Sequence, residues 1–177
     1  LLEDDNKALD KIHNIKNEFS ELMKRNLNQM LINKLGIERY DEKLVTELFS
    51  LMSLSRVDYT KFFRRLCSIP NEISAMDDCF YYPCSEPINK KWNEWLAKWN
   101  NQIKKINKLQ YISSAMKLIN PKYTWREWLI AEAYTKAEDG DYGMLIELQT
   151  VLSRPYDEQS NEIEKKYDRL RPSKFFN

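Results

Sequence analysis

The stretch KKWNEWLAKWNNQIKKI, residues 90–106, decides the fold. Its apolar residues, Trp92, Trp95, Trp99, Ile103 and Ile106, recur at steps of three and four, the period of one helix face. Alternation at a period of two, which a half-buried strand requires, is absent. Lys91, Lys98 and Lys105 lie seven apart and repeat a different face of the same helix. They read as solvated lysines opposite a tryptophan stripe rather than as a basic strip for nucleic acid.

The same period runs outward in both directions. From Ile88 the Trp-rich helix is expected to continue, with a bend, through Ile112, Ala115, Met116 and Ile119, until Pro121 interrupts it. Thr124 is expected to cap a further helix carrying Trp125, Leu129, Ala133 and Ala137; Trp125 and Trp128, three apart, should share one buried side of it, with Arg126 on another flank. Gly140 stops that helix, and Asp141 caps the next, whose face is Met144, Leu145, Leu148, Val151 and Leu152. Upstream, Leu9, Ile12, Ile15, Phe19, Leu22, Leu27, Met30 and Leu35 define one long amphipathic helix that Gly36 ends. A second helix begins near Asp41 with Leu44, Val45, Leu48, Phe49 and Met52 inward. A third begins near Asp58 with Tyr59, Phe62, Phe63 and Leu66 inward, closed by Pro70. The chain thus divides into a long helix and short helices over 1–69, a loop over 70–87, a long Trp-rich helix over 88–119, a helical hairpin over 121–153 and an extended tail over 154–177, anchored in part by Tyr156, Tyr167, Phe175 and Phe176.

Composition agrees with an all-α fold. Only three glycines occur in 177 residues, too few for a sheet of tight hairpins. With 28 basic and 27 acidic residues the net charge is +1, so no global field selects nucleic acid or an anionic membrane as partner. No apolar run reaches the roughly 20 residues of a membrane span, and LLEDDNK has none of the marks of a signal peptide. The three cysteines, Cys67, Cys79 and Cys84, are odd in number and read as free thiols of a reducing compartment. The first residue is leucine, as expected of a piece excised or processed from a longer polypeptide.

No catalytic, cofactor-binding or metal-ligating residue can be assigned. The glycines cannot build a phosphate-cradling loop. His13 sits among helical positions far from every cysteine, and Cys79 and Cys84 lack the second pair that zinc requires. EDGDYG, residues 138–143, resembles a calcium loop only superficially: counted from Asp139, Met144 stands where the glycine belongs and Thr150 where the bidentate glutamate belongs.

Residues 116–158, MKLINPKYTWREWLIAEAYTKAEDGDYGMLIELQTVLSRPYDE, resemble the C-terminal part of the selenoprotein O family, including its bacterial YdiU-type members. INKLGI at 32–37, ELFSLM at 47–52 and VDYTKFFRRL at 57–66 resemble it in the same order. The resemblance implies an irregular helical region at the C-terminal end of a larger protein-kinase-like fold. It implies a parent enzyme that transfers AMP from ATP to hydroxyl side chains of proteins with magnesium or manganese. The family's nucleotide, metal and catalytic residues belong to the preceding kinase-like region, so none is carried over, and this chain alone is expected to be inactive. Its implied partners are that upstream kinase-like domain and the enzyme's protein substrates, with neither nucleic acid nor membrane. The setting implied is cytoplasmic in a bacterium or mitochondrial in a eukaryote. Glu127 stands where the family commonly has Asn, and the RPSKFFN end lacks the Cys- or selenocysteine-containing tail of many members.

A region that covers another domain should carry an apolar docking surface, with the first helix and the Trp92, Trp95, Trp99 helix as the expected owners. The alternative is a protein-interaction module. Residues 122–152 resemble one tetratricopeptide-type hairpin, but no second copy follows at a period near 34.

Overall fold

In the computed structural model of the chain, residues 2–106 and 108–173 are described. They fold into eight α-helices: α1 (Leu2–Leu35), α2 (Glu42–Ser55), α3 (Tyr59–Leu66), α4 (Glu86–Lys104), α5 (Leu109–Ile119), α6 (Glu127–Glu138), α7 (Gly143–Leu152) and α8 (Asn161–Tyr167). The all-α expectation holds: one isolated bridge, Val57 to Phe80, is the extent of β pairing among the described residues. No helix among them is long and apolar enough to cross a membrane.

The helix ends follow local chemistry. Asp41 and Asp58, both in extended backbone, accept from the amides of Leu44 and Lys61 at 3.0 Å and so cap α2 and α3. Gly36 ends α1 with φ +64, and a Cβ there would lie 2.6 Å from Ile112 Cγ2 and 2.7 Å from Met116 Sδ. Glycine is therefore required twice, for the left-handed turn and for the approach of α5.

The larger core lies among α1 to α5. Leu31, Leu35, Leu48, Phe62, Trp92, Trp95 and Trp99 are all buried in it. The three indoles of α4 are buried without losing a hydrogen bond: Trp92 Nε1 donates to Ser55 Oγ at 2.9 Å, Trp95 Nε1 to Leu44 O at 2.9 Å and Trp99 Nε1 to Leu35 O at 2.8 Å. The Trp stripe is thus an internal face, which removes α4 from the candidates for a docking surface.

Several boundaries differ from expectation. The 70–87 segment contains a 3-10 helix, Ile73–Cys79, pinned to α4 because Asn93 Oδ1 accepts from Ile73 N at 2.8 Å and Asn100 Nδ2 donates to Pro70 O at 2.9 Å. The helix expected over 88–119 is two helices, α4 and α5, rather than one bent rod. α3 stops at Leu66, ahead of Pro70, and Ile69 takes φ +54 in the turn. Thr124 caps nothing: α6 starts three residues later, with Arg126 at its N-cap position. Trp125 therefore precedes the helix and is 64% exposed, whereas Trp128 is 4% exposed. Asp141 accepts from Gly143 N at 2.9 Å, but α7 begins only at Gly143. Phe49 and Tyr59, expected inward, are exposed at the edge and stack on one another. The tail is not simply extended: Ser160 caps α8, and Tyr167 at its end is buried. The anchoring expected of Phe175 and Phe176 lies outside the described residues.

A second, smaller core forms where Trp128, Leu129 and Ala133 of α6 meet Met144, Leu148 and Val151 of α7, with Tyr123 and Tyr167 closing it.

Candidate functional site

Two features stand out on this scaffold: a buried set of charges between the cores, and an uncovered apolar helix. The charges are centred on α3. Because α3 lies between the larger core and the chain that leads through the smaller one, it is buried on almost every side, including at Lys61 and Arg64. Charged side chains survive such burial only when paired.

The pairing is extensive. Lys61 Nζ donates to Asp168 O at 3.0 Å and forms ion pairs with Asp168 at 3.3 Å and Asp78 at 3.0 Å. Arg65 joins the same two carboxylates, at 2.8 Å to Asp78 and 3.0 Å to Asp168. Arg64 donates to the carbonyls of Lys117 (2.9 Å), Asn120 (3.0 Å) and Tyr156 (3.0 Å) and to Glu158 Oε1 at 2.7 Å. Lys122, itself buried, reaches Glu158 at 2.6 Å and Glu164 at 2.9 Å. Arg126 closes on Asp58 in a two-pronged contact of 2.5 and 3.1 Å, and Tyr81 Oη donates to the same carboxylate at 3.3 Å. Asn120 is fully buried and exchanges hydrogen bonds with Lys34, accepting from Nζ at 2.9 Å and donating to its carbonyl at 2.9 Å.

The electrostatics follow from this geometry. Burial works to raise the carboxyl of Asp58, but the hydrogen bonds and charge of Arg126, with the Lys61 amide and Tyr81, outweigh it and hold the group below the usual carboxylate range. Burial is likewise outweighed at Asp78 by Arg65 and Lys61. At Glu158 it is outweighed by Lys122 and Arg64, which hold that carboxyl down to about 2. Burial pushes the Cys79 and Cys67 thiols up, which makes both poor nucleophiles.

Every basic group of this joint is occupied by a carboxylate, a carbonyl or an amide oxygen, so the arrangement ties elements together and does not present an anion-binding surface. Its members come from VDYTKFFRRL, from the NPK run at 120–122, from Arg126, from the chain around 158–168, and from Lys34, Asp78 and Tyr81. The sequence marked the first three groups as distinctive without indicating that they meet, and the partners at Glu158, Glu164 and Asp168 were not singled out at all. No local signal showed it: Lys61, Arg64 and Arg65 share one face of α3, opposite Phe62, Phe63 and Leu66, and so read as a solvated face.

The candidates weighed from sequence fall elsewhere. His13 is exposed on α1, Cys67 and Cys79 are buried free thiols, and Cys84 is a partly buried one. Lys91 and Lys105 are exposed, and Lys98 pairs with Glu47 at 2.7 Å. EDGDYG is a glycine turn with φ +85 at Gly140. No three histidine, cysteine, aspartate or glutamate side chains among the described residues group in a way that could hold a metal ion.

The second feature is α1. Every residue from Lys7 to Leu27 is exposed, among them Leu9, Ile12, Ile15, Phe19, Leu22, Met23 and Leu27. The helix enters the larger core only at its C-terminal end, through Leu31 and Leu35. Beside that end lies an open apolar groove of about 450 Å³ between α1 and α5, lined by Ile32, Gly36, Ile112, Ala115 and Met116 among others.

The family model described as protein adenylyltransferase SelO matches residues 5–153. The chain is 38% identical over 159 residues to the protein nucleotidyltransferase YdiU of Photobacterium profundum, covering 81% of this chain and 30% of that protein. It is 31% identical over 160 residues to the protein of the same name from Aromatoleum aromaticum, covering 86% of this chain and 31% of that protein. Against that of Tolumonas auensis it is 33% identical over 156 residues, 81% and 29% of the two. The chain thus spans about a third of the length of the curated relatives it matches. With the match running from within α1 to the end of α7, the chain belongs to the protein adenylyltransferase SelO family.

Proposed function

We propose that these residues are the C-terminal helical region of a protein adenylyltransferase that moves AMP from ATP to hydroxyl side chains of proteins, and that the region supports the enzyme without containing its catalytic centre. The supporting observation is the charged joint. The basic residues of the family-matched segments, Lys61, Arg64, Arg65, Lys122 and Arg126, are each engaged by oxygens of this chain and so act as ties. ATP and magnesium or manganese belong, on this proposal, to the preceding kinase-like part of the polypeptide, which is the region's first partner. The full-length polypeptide should incorporate a tagged α-phosphate from ATP into protein in a metal-dependent way, and the 177-residue chain alone should not. Labelling by the isolated chain overturns the supporting role; no labelling by the full-length polypeptide overturns the assignment of activity.

A second role is favoured by the hairpin, whose Trp125, Tyr134 and Ile146 are 64%, 60% and 61% exposed. Exposed aromatic residues of this kind suit a protein-contact surface, and the contact would be with the enzyme's protein substrates. An excess of the isolated chain should then reduce substrate labelling by the full-length enzyme, and a Trp125→Ala, Tyr134→Ala variant should not. Equal competition by both rules out this surface.

A further inference from the structure

The N-terminal two-thirds of α1 lacks what holds a helix in place. Residues 7–27 extend for about 30 Å at 1.5 Å per residue, and each of them is exposed. In proteins most of a helix's stability comes from packing an amphipathic face rather than from intrinsic propensity. Such a face exists: Leu9, Ile12, Ile15, Phe19, Leu22, Met23 and Leu27 fall within an arc of about 140° at 100° per residue, and Ile15 and Phe19 are 65% and 61% exposed. Lys7, Lys11, Glu18, Glu21 and Arg25 lie outside that arc, and Lys16 near its edge and Asn26 are the polar residues within it, so one side of the helix is mainly apolar and the other charged. The apolar side also differs from the one α1 uses internally, since Leu31 and Leu35 are rotated by roughly 100° or more from its centre. The stripe is therefore not a continuation of the larger core left bare by chance. The apolar groove against α5 opens on another side of α1, since Ile32 and Gly36 are rotated by about 150° and 110° from the centre of the stripe.

We infer that the α1 stripe is a docking face whose occupant is the preceding part of the same polypeptide. The inference rests on the assignment of the chain to a longer SelO-family protein. Three observations select this occupant over a second copy. The family match begins at residue 5, inside α1, so the bare helix belongs to the matched region and is not an appended arm. About two-thirds of the length of the relatives lies outside the span they share with this chain. A segment joined directly to α1 meets the stripe at the high effective concentration of an intramolecular contact, which a separate molecule at micromolar concentration does not match.

Hydrogen exchange on the full-length polypeptide tests the face directly, with a native protein compared against an Ile12→Asp, Phe19→Asp variant. Residues 9–27 should exchange about 100-fold more slowly in the native protein than in the variant, the mark of a helix packed rather than solvated. Protection at Leu48 and Trp99, inside the larger core, should be the same in both and shows that the variant is folded. Equal, fast exchange of residues 9–27 in both proteins overturns the inference, and so does protection that rises with protein concentration, which identifies a second copy as the occupant. The measurement reads packing and not AMP transfer. A polypeptide without transferase activity that still protects α1 leaves the docking face standing and removes only the proposed activity.

Discussion

The two cores are built on opposite principles. In the larger, three buried tryptophans, three phenylalanines and a shell of leucines exclude water, and each indole N–H is satisfied from within. In the smaller, seven buried residues surround one tryptophan, and what fastens this unit to the rest is a set of ion pairs that joins Asp58, Lys61 and Arg64 to Arg126, Asp168 and Glu158. Apolar burial is largely indifferent to pH and salt, whereas a buried ion pair depends on both partners remaining charged. The contrast teaches that one chain can hold a part that melts only as a whole and another that can loosen by itself.

The largest effect expected of a single change is in the larger core. Trp95→Ala should lower global stability by about 3–5 kcal/mol, the usual cost of removing a large buried ring. Chemical denaturation followed by circular dichroism measures it. A loss below about 1 kcal/mol would mean that this core is less tightly packed than its burial indicates.

Arg126→Ala should come next. It leaves the Asp58 carboxylate buried without its main partner, at a cost of about 3 kcal/mol that falls mainly on the smaller unit. Amide exchange should rise across 123–167 while residues 92–103 hold their protection. Uniform loss of protection in both segments would erase the contrast between the two cores.

Acid should act in the same selective way. Asp58, Asp78 and Glu158 are more acidic when folded than when unfolded, so their stabilisation is complete above the unfolded value and is lost as pH falls through the folded one. For Glu158 that window runs from the ordinary glutamate value of 4.5 down to about 2. Loosening of α6–α8 should begin in this window before the tryptophan core gives way. Coincident acid transitions by near-ultraviolet circular dichroism and by exchange at Leu148 would argue against it.

The smallest effect is assigned to Trp125, which lies only three residues from Trp128. Being mostly exposed, Trp125→Ala should shift stability by no more than about 0.5 kcal/mol. Trp128→Ala should cost several times more, because Trp128 is buried beneath the Arg169 guanidinium at 4.6 Å. Equal losses would place both rings in one core.

How far the sequence reveals this arrangement depends on the range of the interaction. Periodicity exposed the stripes of α1, α2, α4 and α7, because a helix face is set by spacings of three and four within one segment. Trp125 misled because spacing predicts a shared face only once a helix has begun, and α6 begins after it. The division into two cores stayed hidden for a related reason. Lys61 meets Asp168 and Arg126 meets Asp58 across 107 and 68 positions, and no local pattern encodes such distances. The bare face of α1 was anticipated in kind, from the resemblance to one part of a larger protein, whereas the burial of the α4 stripe was not.

The three indole hydrogen bonds of α4 also bear on mechanics. They reach Ser55 and Leu44 at opposite ends of α2 and Leu35 at the end of α1, so they fix the axial position of α4 at three stations. Sliding α4 by even one residue would break all three together, which rules out the ratcheting motion by which packed helices sometimes shift past each other. A transverse force on the exposed part of α1 would then act on the larger core as a block, with α1 as its lever.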